Sequence, residues 1–140
     1  LPSLEGIHDR RRVVLPVAVL GADNPSDLTH IAGTALLDTG ATSSAIAPKF
    51  VRKLGLISTG KRSIMVATEQ RLVDFFVFRL GFFCDSVGLA ECASWPHVFA
   101  ETEGFQIKQS HNFDVLLGMD VLGQCDLEIS RAGNWRLGFG

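Results

Sequence analysis

Cysteine is scarce in this chain of 140 residues: Cys84, Cys92 and Cys125 are the only three. An odd, sparse set argues against a disulfide scaffold and for a reducing compartment. It also makes a poor metal motif. A zinc site would have to draw on Cys84, Cys92, His97 and His111, and that spacing holds no C-x-x-C or H-x-x-x-H pair. Neither a metal nor any other cofactor is therefore expected. An excess of charge is missing too. Thirteen Lys and Arg face fifteen Asp and Glu, a net charge of −2, so there is no electrostatic case for nucleic acid or an anionic membrane. The one basic cluster, Arg10-Arg11-Arg12, reads as a solvated strand entry. The longest aromatic-aliphatic run, "FFVFRLGFF" at 75–83, is interrupted by Arg79 and too short to span a bilayer. No signal peptide opens the chain, and a cytoplasmic location is expected. The first residue is Leu1 rather than Met, which fits proteolytic trimming or a place within a larger polypeptide. Repeats, low-complexity tracts and linkers are absent. So are G-x-S-x-G and a phosphate loop, and His30, His97 and His111 have no nucleophile motif beside them.

What is present suits one domain spanning residues 1–140, with 46% hydrophobic residues to build a core. "RVVLPVAVLG" at 12–21 reads as a strand, and Pro16 assigns it to an edge or a bulge. "ADNPSDLT" at 22–29 is a polar turn. "IAGTALL" at 31–37 reads as a strand returning beside the first. After a loop, 44–46 is a short strand. "PKFVRKL" at 48–54 is a short helix, with proline at its start, Phe50, Val51 and Leu54 on one face, and Gly55 placed to stop it. Residues 62–83 form a hairpin pattern around Thr68–Arg71, without the Gly or Asn of a tight two-residue turn. Residues 84–112 have weak periodicity, with strands expected near 95–100 and 104–107. "FDVLL" at 113–117 is a buried strand ended by Gly118, "MDVLGQ" one or two helical turns, and "CDLEIS" and "WRLGF" closing strands. The fold class is mostly β with small helices.

The chemistry concentrates in "ALLDTGATSSAI" at 35–46. Asp38 sits at the end of an apolar run, inside a turn of small residues. One carboxylate works best on water when a second shares its proton: one acts as base, the other as acid. The pair needs a tight turn. Gly40 permits close approach of main chain, the Thr39 hydroxyl can lock the loop onto backbone, Ala41 leaves room for a substrate chain, and Leu36 and Leu37 anchor the support. The only near repeat, "CDSVG" at 84–88, has Val87 where a tight loop needs glycine, so Asp85 reads as a turn residue. Asp120 reads as a helix-dipole partner and Asp114 as a strand-edge residue.

"LLDTGATSSAI" resembles the active-site loop of aspartic proteases. "FDVLLGMDVL" at 113–122 resembles the second signature of the retropepsin-like (retroviral-type) group, in a form closer to cellular, bacterial and retrotransposon members. The resemblance covers roughly residues 12–130. It implies a retropepsin-like half-barrel with one lobe per chain, and a homodimeric endopeptidase acting on polypeptides. Catalytic residues would be Asp38, Thr39 and Gly40, with each Thr39 reaching to the partner loop. Ala41, Val66, Ala67 and Thr68 would bind substrate, the last three within a flap at Val66–Arg71 that lacks the usual glycines. Leu116, Leu117 and Gly118 would support the loop, and the two closing strands are candidates for a dimer sheet. The competing reading is a retropepsin-like dimerisation or peptide-binding module with little or no catalysis.

Overall fold

A computed structural model describes residues 2–83, 96–108 and 112–140. Cys84, Asp85, Cys92, Trp95 and His111 lie outside the described residues, and so do the readings that rest on them. The described elements are β1 (Ser3–Ile7), β2 (Val14–Gly21), β3 (Ile31–Leu37), β4 (Ala45–Ile46), α1 (Pro48–Leu54), β5 (Gly60–Val66), β6 (Glu69–Phe82), β7 (His97–Val98), β8 (Thr102–Gln106), β9 (Val115–Leu117), α2 (Met119–Leu122), β10 (Asp126–Ile129) and β11 (Asn134–Gly138). Neither helix is long and apolar enough to cross a membrane.

The larger sheet closes on itself. Its order runs β2-β3-β9-β4-β8-β6, and β6 pairs back onto β2 to complete a ring. Pro16 explains how β2 accommodates a residue with no N–H. Residues 14–17 pair with β3 alone, and the second partner, β6, joins only at Ala18. Proline therefore stands on a locally one-sided stretch, where its missing donor removes no second ladder bond. The ring encloses Phe50, Phe78 and Phe82 with aliphatic residues from β2, β3 and β9, all fully buried or nearly so.

Helix α1 follows from local chemistry. Pro48 stands in its first turn, and Gly55 ends it at φ 63°. The N–H of Gly55 bonds to the Arg52 carbonyl and that of Leu56 to Val51 at 3.0 Å, a Schellman stop. Phe50 is the buried residue of its inner face, with Val51 and Leu54 packed partly against the core.

The second sheet has the order β1-β11-β10. The reading of the sequence began at Arg12 and did not expect β1. Both edges of β11 are occupied within the chain, so "WRLGF" cannot take a further strand. Among the described residues the free edges of this sheet belong to β1 and β10.

β6 has two halves. Residues 75–82 are largely buried and pair in turn with β8, β2 and β7. Residues 69–74 are more exposed and pair only with β5, as a hairpin arm. The arm turns through just Ala67 and Thr68, because Val66 pairs with Glu69. Such turns want a positive φ, usually from glycine; here Ala67 adopts φ 55°.

Arg79 interrupts the apolar run without breaking the strand. Its side chain is buried and donates to three carbonyls, one at the end of β2, Gly21 at 2.7 Å, and two in the 22–29 turn, Pro25 at 3.0 Å and Asp27 at 2.6 Å. Charge-assisted bonds to several carbonyls offset the desolvation of a buried guanidinium. Arg79→Met removes all three donors and should lower stability by about 2–4 kcal/mol. Urea unfolding measures the loss, and hydrogen exchange should quicken within 22–29. An unchanged midpoint would mean that the turn holds itself.

Candidate active site

β6 and β8 run side by side from the Phe78–Thr102 pair to the Phe75–Phe105 pair, and there they part. β8 continues against β4, where Ile46 pairs with Gln106 and the Ile107 N–H donates to the Ile46 carbonyl at 3.0 Å. The β5–β6 arm leaves in the other direction. Between these two prongs lies a cleft of about 1030 Å³. One prong supplies Ile64–Ala67 and Arg71–Val73, and the other Phe105–Lys108. The floor is the loop after β3, with Asp38, Gly40, Ala41, Thr42 and Ser43, and Leu116 from β9.

Three strands place this floor. β9 lies between β3, which enters the loop, and β4, which leaves it, parallel to the first and antiparallel to the second. The loop must cross over the end of β9. Backbone bonds fasten the crossing: the Asp38 N–H donates to the Leu117 carbonyl at 2.9 Å, and the Met119 N–H to the Ala41 carbonyl at 2.8 Å. Within the loop, the Gly40 N–H donates to Asp38 Oδ1 at 2.9 Å and the Ala41 N–H to the Asp38 carbonyl at 3.2 Å. Asp38 is half-buried, while Thr39 and Gly40 at the crest are exposed.

A polar node lies beneath the loop. Ser44, fully buried, donates its hydroxyl to Asp120 Oδ1 at 2.7 Å and its N–H to Asp120 Oδ2 at 3.0 Å. It accepts the Gly118 N–H at 3.0 Å. Thr102 of β8 donates to Asp120 Oδ2 at 2.5 Å, and the Val121 N–H to Oδ1 at 3.0 Å. Asp120 thus takes a helix-terminal N–H, as its place in the first turn suggested, but three of these four bonds come from the loop and β8. Its carboxylate joins three elements under the crossing.

The residues singled out in the sequence fall into distinct places. Asp38, Gly40, Ala41, Val66 and Ala67 line one cleft with Leu116, whereas Thr39 and Thr68 do not line it. Leu117 and Gly118 are buried below the loop. The Thr39 hydroxyl makes no hydrogen bond among the described residues; Gly40 and Ser44 do the locking expected of it. Sequence reasoning missed Ser44 and Thr102 as loop supports, and Ile64, Val73 and Phe75 as a cleft wall, while Arg71 is the last residue of the expected flap. A signal existed for the wall. Phe75, Val73 and Arg71 alternate along one face of β6, as residues on one side of a strand do.

Comparison with known proteins agrees with this geometry. A family model for aspartyl proteases matches residues 26–121. A solved structure of a retropepsin-like aspartic protease from Rickettsia conorii matches with a TM-score of 0.61, covering 98% of this chain and 90% of that one. Sequence identity to it is 16%, so the likeness is one of fold. No curated protein matches the chain.

Gly118 marks a point where the loop and the end of β9 approach closely. A Cβ there would stand 2.8 Å from the Ser43 carbonyl and 3.0 Å from the Ala41 oxygen. Gly118→Ala should therefore lower stability by about 1–3 kcal/mol, by forcing the loop off β9. Gly21→Ala, where nothing lies within 4 Å, should be near neutral. Chemical denaturation of the two variants compares them directly, and equal midpoints would refute the crossing as drawn.

Proposed function

The chain belongs to the aspartyl protease family and has a retropepsin-like fold, and on that premise we propose that it is a homodimeric endopeptidase. In this reading residues 1–140 act as one domain, and Asp38 from each of two copies forms the catalytic pair. The observation that carries it is the composition of the cleft: among the described residues Asp38 is the one carboxylate that lines it, on a floor fastened by backbone bonds. A single acid needs a partner, and two-fold symmetry can bring a second Asp38 to face the first. The exposed crest at Thr39 and Gly40 leaves the loop accessible to another copy.

Two carboxylates about 3 Å apart cannot both ionise readily, so the pair holds one proton between them. The charged one takes a proton from water as that water attacks the peptide carbonyl. The neutral one protonates the departing nitrogen. No covalent intermediate forms. The substrate lies extended in the fork, where strand edges can pair with its backbone and Ala41, Val66 and Ala67 meet its side chains. Leu116, Leu117 and Gly118 hold the floor in place.

Sharing a proton sets a working range from acidic to near-neutral pH, and the hairpin root withstands that range. Hydrogen bonds from Lys61 first, then Ser58, hold the Asp74 carboxyl below its ordinary value of 3.8. A depressed carboxyl keeps its stabilisation above the unfolded value. It loses it only as pH falls below 3.8 and through the lower folded one.

Asp38→Asn should cut kcat/KM on a peptide library by about a thousandfold or more while leaving the melting transition intact. Wild-type specific activity should rise with enzyme concentration until the dimer saturates. Cleavage retained in the variant would refute Asp38 as the catalytic acid. Peptides that bind yet stay uncut by folded wild type, at every pH and concentration, would establish the peptide-binding module instead.

A further inference from the structure

The cleft is apolar along most of its walls, but each of its two prongs carries a cation. On the arm, Phe75, Val73 and Arg71 share the cleft face, opposite Gly60, Arg62 and Ile64 of β5. Arg62 is already occupied: its guanidinium lies over the Phe75 ring, 4.8 Å from the centroid, and pairs with Glu103. Arg71 lines the cleft and has only Glu69, two residues away at 3.4 Å, with both side chains more than half exposed. Such a pair contributes little and can be exchanged. On the other prong Lys108 is exposed, three residues beyond the fork point at Phe105. Among the described residues one cleft carboxylate, Asp38 on the floor, stands against these two charges.

We propose that the cleft selects polypeptides carrying an acidic side chain, Asp or Glu, beside apolar ones near the bond that is cut, with Arg71 and Lys108 as the specificity-determining cations. The proposal rests on the reading of the cleft as a peptide-cleaving site and adds a substrate class to it. Cations on the walls of a low-dielectric cleft attract a carboxylate, repel an ammonium group and gather anionic chains from solution. Ile64, Val66, Val73, Phe105 and Ile107 receive the neighbouring apolar side chains. The attraction acts on binding, so it belongs in KM, and salt weakens it.

The test uses a peptide of fixed apolar sequence, with one Glu walked through the positions flanking the scissile bond, and matched Gln and Lys series. For wild type, Glu at one or more positions should raise kcat/KM over Gln by about three- to tenfold, through KM. Lys should lower it, and the ratios should shrink in about 0.5 M salt. The Glu-to-Gln ratio should fall to near one in Arg71→Gln/Lys108→Gln. In Arg71→Glu/Lys108→Glu the preference should invert toward Lys, which a merely structural role would not produce. Cleavage without preference for Glu at any position, or a preference that survives the double variant, overturns the proposal and leaves the protease reading standing. If wild type cleaves nothing, the same peptides, fluorescently labelled, are tested for binding. Tighter binding of Glu peptides that is lost in the double variant upholds the cationic cleft while the protease reading falls. Equal or absent binding overturns the cleft proposal as well.

Discussion

At Gly118 two stretches of backbone pass so close that no side chain fits between them. The rest of the site depends on that crossing. It lets the loop of residues 38–44 lie on the end of β9 while the strands at its two ends flank β9 on either side. Main-chain bonds from Asp38 and Met119, and the buried Ser44–Asp120 node, then leave the loop few ways to move. A carboxylate on such a loop is held by the sheet and not by its own rotamer. Catalytic geometry demands that kind of rigid support.

Charge placement follows the same economy. Three arginines of the β5–β6 hairpin meet different fates according to depth. Arg79 is buried and satisfied by carbonyls, Arg62 is stacked and paired at the fork, and Arg71 on the exposed arm keeps only a weak neighbour. Asp114 repeats the lesson with opposite sign. Read from sequence as a strand-edge residue, it is buried, accepts the Thr34 N–H at 2.7 Å and pairs with Lys49 at 2.5 Å. One carboxylate thus ties β3, α1 and the entry to β9. Burial without such partners would cost several kcal/mol.

Local chemistry made much of this legible. Pro48 and Gly55 bound α1, alternation and apolar runs mark β2 and β3, and Gly118 closes β9. The loop around Asp38 stands out because an acid among small residues at the end of an apolar strand has few structural uses. Other features escaped because their causes are distant. Ser44 meets Asp120 across 76 residues, and nothing near Thr102 announces that it bonds to the same carboxylate. The ring closes through β2 and β6, whose pairing leaves no mark on either segment alone. The arm's two-residue turn went unread because Ala67 occupies a conformation for which the rules expect glycine. β1 was missed because a five-residue strand with one fully buried side chain has almost no periodicity to read.

The arm and the strand below it are held in different ways. Beyond Phe75 it is a two-stranded ribbon, and such ribbons are marginal alone in water. Its outer pairs expose Met65 and Leu72, so no core holds it in one place. Below Phe75 the same strand is locked into the ring by β8 and β2. The boundary between the two regimes is a single pair, Phe75 against Phe105 with ring centroids 5.9 Å apart, beside the Arg62–Glu103 ion pair. An extended peptide in the fork would supply the strand that the arm lacks. In the proposed reading such a peptide gives the ribbon backbone partners that β5 and β6 alone do not have.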